Sequence, residues 1–430
     1  MKILIKNGRL IDPANKRDEV CDILTENGRI AQVGKNIMVL ADTIIDATNK
    51  IVIPGLIDMH VHLREPGRED KETIASGTKA ALRGGITTVL AMPNTMPAMD
   101  SVEALQSLKA IIQKKAYAHV LAAGTMTQSR RGQVLTDISA LKKEGIVAVS
   151  DDGDSVDNEG LMKEVLEKAA AEQILAICHC EDSSLSKHGV MNLGLTSTIL
   201  GLRGIPKKAE YKMVERDLRL AKETGASVHL AHISCRESVE LIAVAKKKGV
   251  RVTAEATPHH FTLTEEAVLG YDTNMKMNPP LRGKDDVGAI RQALKDGVLD
   301  VIASDHAPHT ENEKEIEFDR AEFGVVGLET SLSVAVTELV DKKILDWAGL
   351  VEKMSVAPAK ILNLNKGALA EGRDADIIVV DPEQEWTVTP ESFFSKCKNS
   401  AFLGRTLKGV VEYSICGGRL AYQAGHGFKK

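Results

Sequence analysis

Residues 58–67, DMHVHLREPG, place an aspartate, two histidines one residue apart and an arginine behind a short apolar run, IVIPGLI. That run reads as a buried strand. Side chains two apart on a strand share a face, so His60 and His62 point the same way. Neutral imidazoles in such a pair are good ligands for a divalent metal. Other residues able to do chemistry close other apolar runs: Asp151 and Asp152 after IVAVS, His179 after ILAIC, His232 after SVHLA, and Asp305 inside ASDHAPH. A single histidine at a strand end is more often a hydrogen-bonded structural residue than a ligand. An Asp-Asp pair before Gly153 also suits a plain turn. Four histidines and two aspartates whose strand ends meet at one place, however, make a metal site by ligand type.

A barrel would bring those ends together. Strands are expected near 56–60, 86–91, 118–122, 146–150, 174–179, 227–232, 251–255 and 300–304. Between them run amphipathic stretches such as KETIASGTKAALRGG and RESVELIAVAKKKG, each closed by a glycine that suits a helix C-terminus. Eight strands alternating with helices over roughly 250–300 residues predict a (β/α)8 TIM-type barrel of the α/β class, with all C-terminal strand ends at one mouth. A doubly wound open sheet is the alternative, but no G-x-G-x-x-G follows the first strand. Residues 1–54 and 366–430 alternate apolar and polar in short pieces, as in KILIKNGRLID and GVVEYSICGGRLAY, with N-G turns in the N-terminal part. Together the two ends predict a smaller composite β-sandwich, with the barrel, 55–365, inserted between its halves.

Composition narrows the class. Hydrophobic residues make up 43% of the chain but aromatics only 3%, so the core must be aliphatic. The net charge of −5 carries no long single-sign run, which argues against nucleic acid or a membrane surface as partner. No window approaches 18 continuous apolar residues, and MKILIKNGRLID lacks the apolar core of a signal peptide. Six cysteines without repeated CxxC spacing read as reduced thiols of a cytoplasmic protein. Cys178 and Cys180 flank His179 but face the other way on a strand, so they read as packing residues. His119 and His229 lie within strands, and His188 and His426 in loops; all four read as structural. One of His259 and His260 is a candidate to approach the site. The segment FGVVGLE (323–329) is a candidate pocket-lining loop, because glycine lets backbone come close to a ligand.

Taken together, GLIDMHVHLREPG, GGITTVLAMPNTMP, AEATPHH, MNPPLR and ASDHAPHTENEK resemble the dihydroorotases of the amidohydrolase superfamily. H-x-H alone marks only the superfamily. R-E-P-G, M-P-N-T-x-P and S-D-H-A-P-H followed by Lys314 are narrower. The resemblance implies the barrel with its β-sandwich and the interconversion of N-carbamoyl-L-aspartate and L-dihydroorotate in pyrimidine synthesis. It implies zinc, one or two ions per chain with two favoured. His60 and His62 would hold the more buried ion and His179 and His232 the second. Asp305 would both touch metal and carry the proton. Arg64, Asn94 and His309 would hold the substrate carboxylate, with Asn278 as a further contact. Hydantoinases, allantoinases and many dihydroorotases carry a carboxylated lysine after strand four. Here that stretch reads AVSDDGDSVDN, which is similar to bacterial type I dihydroorotases, with an aspartate in the lysine's place. Spacing does not choose between Asp151 and Asp152; the resemblance favours Asp152. It also implies a homodimer and a potential association with aspartate carbamoyltransferase. Two rivals remain. A hydantoinase or allantoinase would need the lysine and have no need of Arg64, which could instead pair with Glu65 or Glu69. A non-catalytic partner protein would have lost ligands.

Overall fold

The computed structural model describes all residues, Met1–Lys430. Eight parallel strands follow one another around a barrel: β1 Leu56–Val61, β2 Ile86–Ala91, β3 His119–Gly124, β4 Ala148–Ser150, β5 Leu175–Cys178, β6 Val228–Leu230, β7 Val252–Ala256 and β8 Val301–Ile302. All eight fall on the apolar runs that predict them. The later strands are shorter than expected because the backbone leaves the ladder early to enter the mouth: His232 and Asp305 have φ of 33° and 47°. The last gap, between β8 and β1, is closed by a bridge between Val61 and His306 and by the His62 amide, which donates to the His306 carbonyl at 2.9 Å. Asp58 staples the same seam. Its carboxylate accepts the amides of His60 at 3.1 Å and Ser304 at 3.2 Å, and burial pushes its pKa up to about 7.

The barrel interior is aliphatic, as the lack of aromatics requires. Ile57, Met59, Leu90, Met92, Ala148, Leu175, Ile177, Ala231, Val301 and Ala303 fill it, packed with Ala359 and Leu362 from the helix Ala357–Ile361 and the residue after it. The alternate strand residues, such as Val61, Val89, Val149, Cys178, Leu230 and Ile302, belong to a second layer beneath the surrounding helices. Each fully buried Leu, Ile or Val contributes roughly 1.5–3 kcal/mol relative to exposure.

Both chain ends meet in one nine-stranded sheet. The N-terminal and C-terminal halves join where Ile51–Pro54 pairs antiparallel with Ile377–Val380. Period-two alternation gives this sheet two buried faces. Ile377 and Val379 pack with Ile3, Ile5 and Ile23 in the sheet's own core, while Ile378 and Val380 turn to the barrel cluster. The two chain ends thus form one composite β layer whose strands follow a single hydrogen-bonded path around its own core. All six cysteines are buried and free, and no helix is long and apolar enough to cross a membrane.

The first barrel helix, Ile74–Arg83, is started by a Thr73–Ser76 capping box and ends at Gly84. Gly84 has an ordinary φ of −82°, but a Cβ there would stand 2.0 Å from the Leu328 carbonyl oxygen. Close approach, not backbone freedom, demands the glycine. Gly84→Ala is expected to lower stability by about 1–3 kcal/mol through overpacking, read as a shift in the urea midpoint. An unchanged midpoint would contradict this packing.

Candidate metal centre and active-site pocket

Strand parity decides which side chains reach the mouth. On β4, Ala148 and Ser150 set the inward parity that Asp152 continues. Asp151 follows the outward parity of Val149 and is occupied elsewhere, accepting the amides of Met126 at 2.8 Å and Thr127 at 3.1 Å. Inward residues Leu175 and Ile177 lead to His179, and Leu90 and Met92 lead to Asn94. Cys178 and Cys180 point outward, beside Asp217. β1 contains a register shift between Asp58 and Val61. That irregularity lets His60 and His62 follow Ile57 and Met59 inward, a common use of a bulge. His232 and Asp305, with Arg64 at φ 59°, lie in the left-handed region that non-glycine residues rarely occupy. Such strain gathers at functional sites.

The result is one buried cluster. Asp152 Oδ2 lies 3.2 Å from His60 Nε2 and 3.3 Å from His62 Nε2. Its other oxygen lies 3.4 Å from His232 Nε2 and 3.6 Å from His179 Nδ1. Each carboxylate oxygen therefore faces one pair of imidazoles. Asp305 Oδ1 lies 3.2 Å from His62 Nε2 and 3.7 Å from His60 Nε2. The outward nitrogens are taken by second partners. His60 Nδ1 donates to Glu255 at 2.6 Å, His62 Nδ1 to Asn94 Oδ1 at 2.8 Å, and His179 Nε2 to Glu181 at 3.1 Å. With those hydrogens placed, His60 and His62 offer Nε2 lone pairs to the cluster and His179 offers Nδ1. His60 Nε2 and Asp152 Oδ1 are buried with no hydrogen-bond partner. A buried donor set left open in this way fits a divalent cation of the zinc type.

Electrostatics point the same way. Burial works against charge on His60, yet Asp152, Glu255 and Asp305 outweigh it and raise its pKa well above the imidazole value. Burial also opposes ionisation of Asp152 and Asp305, but the surrounding imidazoles hold both carboxyls far below the usual range. So much anionic pull at one point calls for positive charge.

Beside the cluster opens a cavity of about 280 Å³ lined by His62, Arg64, Asn94, Arg130, Asp152, His179, His232, Asn278, Asp305 and His309, with Glu322, Phe323 and Gly324. The 323–329 segment thus does reach the pocket. Arg64 faces it: its Nε donates to the Pro308 carbonyl at 3.3 Å and its Nη2 lies 3.2 Å from His309 Nε2. Neither Glu65 nor Glu69 takes Arg64; Glu65 pairs with Lys115, and Glu69 accepts the Gly67 amide. Burial draws the Arg64 guanidinium down to about 10, still charged at neutral pH. Burial and then the cations Arg64, Lys71 and Lys314 drive His309 down to about 2, so its imidazole is neutral. Asn94 has its oxygen tied to His62, which leaves its NH2 for an anion. Asn278 has its NH2 tied to Glu181 at 2.7 Å, which leaves its oxygen for an N–H.

Of the TPHH pair, His260 is structural, bonded to Thr257 at 2.8 Å and the Pro279 carbonyl at 2.9 Å. His259 is buried, and its Nε2 has no partner. His229 braces Glu255 at 3.0 Å and His119 pairs with Asp376 at 3.2 Å. Sequence reasoning did not single out Glu255, Glu181 or Lys71. A charged residue within the apolar run VTAEA is the signal that Glu255 offered; Glu181 and Lys71 sit in polar stretches with nothing to mark them.

Fold and donor set together are those of the amidohydrolase superfamily. A solved L-hydantoinase (dihydropyrimidinase) from Arthrobacter aurescens superposes with a TM-score of 0.91 at 26% identity, covering 100% of this chain and 97% of that one. A D-hydantoinase (dihydropyrimidinase) from Thermus sp. gives 0.85 at 25%, with 100% and 97% covered. Sequence relationship is more specific. A family profile described as Dihydro-orotase-like matches residues 49–238. The dihydroorotase of Elusimicrobium minutum is 52% identical over 425 residues, 99% of this chain and 98% of the relative. That of Pelotomaculum thermopropionicum is 50% identical over 423 residues, 98% and 99%. The chain belongs to the dihydroorotase family.

Glu255 bridges His60, His229 and the His232 amide, the last at 3.2 Å. Glu255→Gln keeps the shape and removes the charge that fixes His60. Metal affinity measured by chelator competition is expected to fall about 10–100-fold. An unchanged affinity would remove Glu255 from the site.

Proposed function

We propose that this chain is a zinc-dependent cyclic amidohydrolase that interconverts L-dihydroorotate and N-carbamoyl-L-aspartate. The observation that carries the reading is a convergence. The donors suited to an anionic substrate group, Arg64, Asn94 and His309, line the same cavity as His62, His179, His232, Asp152 and Asp305. A ring that bears a carboxylate beside a hydrolysable amide needs both halves at once.

His60 and His62 with Asp305 would hold one ion and His179 and His232 a second, with Asp152 completing the donor set. When bound, zinc supplies a Lewis acid and lowers the pKa of a bound water to about 7. The chain's own residues do the rest. Arg64 grips the substrate carboxylate with its planar fork, joined by the Asn94 amide and the His309 N–H. The Asn278 oxygen accepts from a ring N–H. This grip fixes the scissile amide over the Asp152 rim and turns binding into orientation. Asp305, ionised and beside His62, takes the proton of the attacking water and delivers it to the leaving ring nitrogen. Ring closure runs the same steps backwards. A hydantoinase reading is disfavoured by the aspartate after β4, where that reading requires a lysine.

Elemental analysis and a dihydroorotate assay on one sample test the whole reading, with hydantoin and allantoin assayed alongside. Turnover confined to dihydroorotate supports it. Metal-loaded protein without turnover of any of the three favours a non-catalytic role. Arg64→Lys replaces a bidentate fork with a point charge, and KM for dihydroorotate is expected to rise, with kcat/KM falling at least about tenfold, or 1.4 kcal/mol. Unchanged kinetics would refute the assignment. Ligand imidazoles must be neutral to bind metal, so protons compete as pH falls. Activity should decline below about pH 6. A flat profile to pH 5 with metal retained would count against the site.

A further inference from the structure

Lys71 follows the REPG segment, in the loop between β1 and the helix Ile74–Arg83. It is 4% exposed, and its ammonium lies 2.9 Å from Glu313 Oε1 and 3.0 Å from His309 Nδ1. An ammonium can only donate. Burial works against charge on Glu313, but Lys71, the Thr310 amide and Arg68 hold its carboxyl far below the usual range. Burial lowers the Lys71 pKa, and its 2.9 Å pairing with the ionised Glu313 opposes that loss and favours the ammonium. Both ring nitrogens of His309 face a group that only donates, and a neutral imidazole accepts at just one; the Lys71 contact is the shorter, so Nδ1 accepts and the hydrogen sits on Nε2. That Nε2 lies 3.2 Å from Arg64 Nη2, which also only donates. Two N–H groups thus converge at the edge of the cavity with no acceptor of the chain between them.

We propose that Lys71 is a positioning residue: it selects the His309 tautomer that, with Arg64, presents a pair of N–H donors to the substrate carboxylate. The proposal rests on the reading of His309 as a carboxylate contact. It also says what happens without the ammonium. Glu313 Oε2 stands 3.5 Å from His309 Nδ1. With Lys71 gone, this carboxylate draws the imidazole hydrogen to Nδ1. Nε2 then becomes an acceptor for Arg64, the two groups satisfy each other, and His309 offers no N–H to the incoming anion.

Lys71→Met, His309→Ala and the double variant test this, each checked for thermal unfolding and metal content. KM for dihydroorotate is expected to rise about 10–100-fold in Lys71→Met, the scale of a hydrogen bond to a charged group, with kcat changed far less. In the His309→Ala background, Lys71→Met should add less than about twofold, because the two act as one unit. Multiplying effects would overturn the role of Lys71 while leaving His309 as a carboxylate contact. An unchanged KM in His309→Ala alone would instead remove that contact, and this proposal with it. A second readout needs no folded Lys71 variant. In wild-type protein with 15N-labelled histidine, the His309 ring signals, assigned by their loss in His309→Ala, should show hydrogen on Nε2. Hydrogen on Nδ1 would overturn the proposal.

Discussion

A buried carboxylate must be met by positive charge, and Asp152 is where this chain faces that requirement most sharply. It is 3% exposed and points both oxygens at imidazoles. With the His60, His62 and His179 hydrogens committed to Glu255, Asn94 and Glu181, those neutral rings cannot donate to it, and His179 Nδ1 and His232 Nε2 also lie only 2.9 Å apart. A carboxylate that faces ring lone pairs is an unstable arrangement in a low-dielectric site. Positive charge from a bound metal would resolve it, and the outer hydrogen bonds to Glu255, Asn94 and Glu181 already turn ring lone pairs inward for that outcome.

Those outer partners also connect the candidate metal donors to the groups that line the cavity. Asn94 accepts from His62 with its oxygen and turns its NH2 to the cavity. Glu181 accepts from His179 and from Asn278, so a single carboxylate holds one imidazole of the cluster and one cavity-lining amide. His179 holds Glu181 down to about 2, so it stays an acceptor throughout neutral pH. Orientation in the donor cluster therefore propagates to the ligand pocket through one or two hydrogen bonds rather than through backbone movement. Precision of this kind is what placing a reacting amide within about 3–3.5 Å of its nucleophile demands.

Much of this was legible in the residue order, for a physical reason. Parallel strands buried on both faces must be short apolar runs, so their positions, and the residues that close them, can be read directly. His60, His62, Asp152, His179, His232 and Asp305 all come to one rim. The Asp151–Asp152 ambiguity illustrates the boundary of that method. Spacing leaves it open, but once β4 is seen to run Ala148–Ser150, parity with Ala148 sends Asp152 inward. Parity alone fails at β1 and β6. Met59 and His60 are neighbours yet both reach the interior, through a register shift that no hydropathy pattern marks. His232 follows inward Ala231 and reaches the site only because its φ is positive. Lys71 and Glu313 were invisible for another reason: their meaning lies in a contact between a loop and a short helix some 240 positions apart.

Positive-φ residues link stability to function. Arg64, His232 and Asp305 each hold a conformation that costs of order 1–3 kcal/mol for a residue with a Cβ. Asparagine or glycine would relieve the strain, as they do at Asn7, Asn27 and Gly28 in the peripheral sheet. At the rim neither can serve, because the position needs a guanidinium, an imidazole or a carboxylate. The strain is held in place by closure of the barrel beside it: the His62 amide on the His306 carbonyl, the Val61–His306 bridge, and Asp58 across the β8–β1 seam. Aliphatic packing below the rim, from Ile57 and Met59 to Val301 and Ala303, makes that closure rigid. The barrel floor thus supplies the stability that its mouth gives up, and the division explains why the candidate site residues other than His60 stand past the strand ends rather than within them.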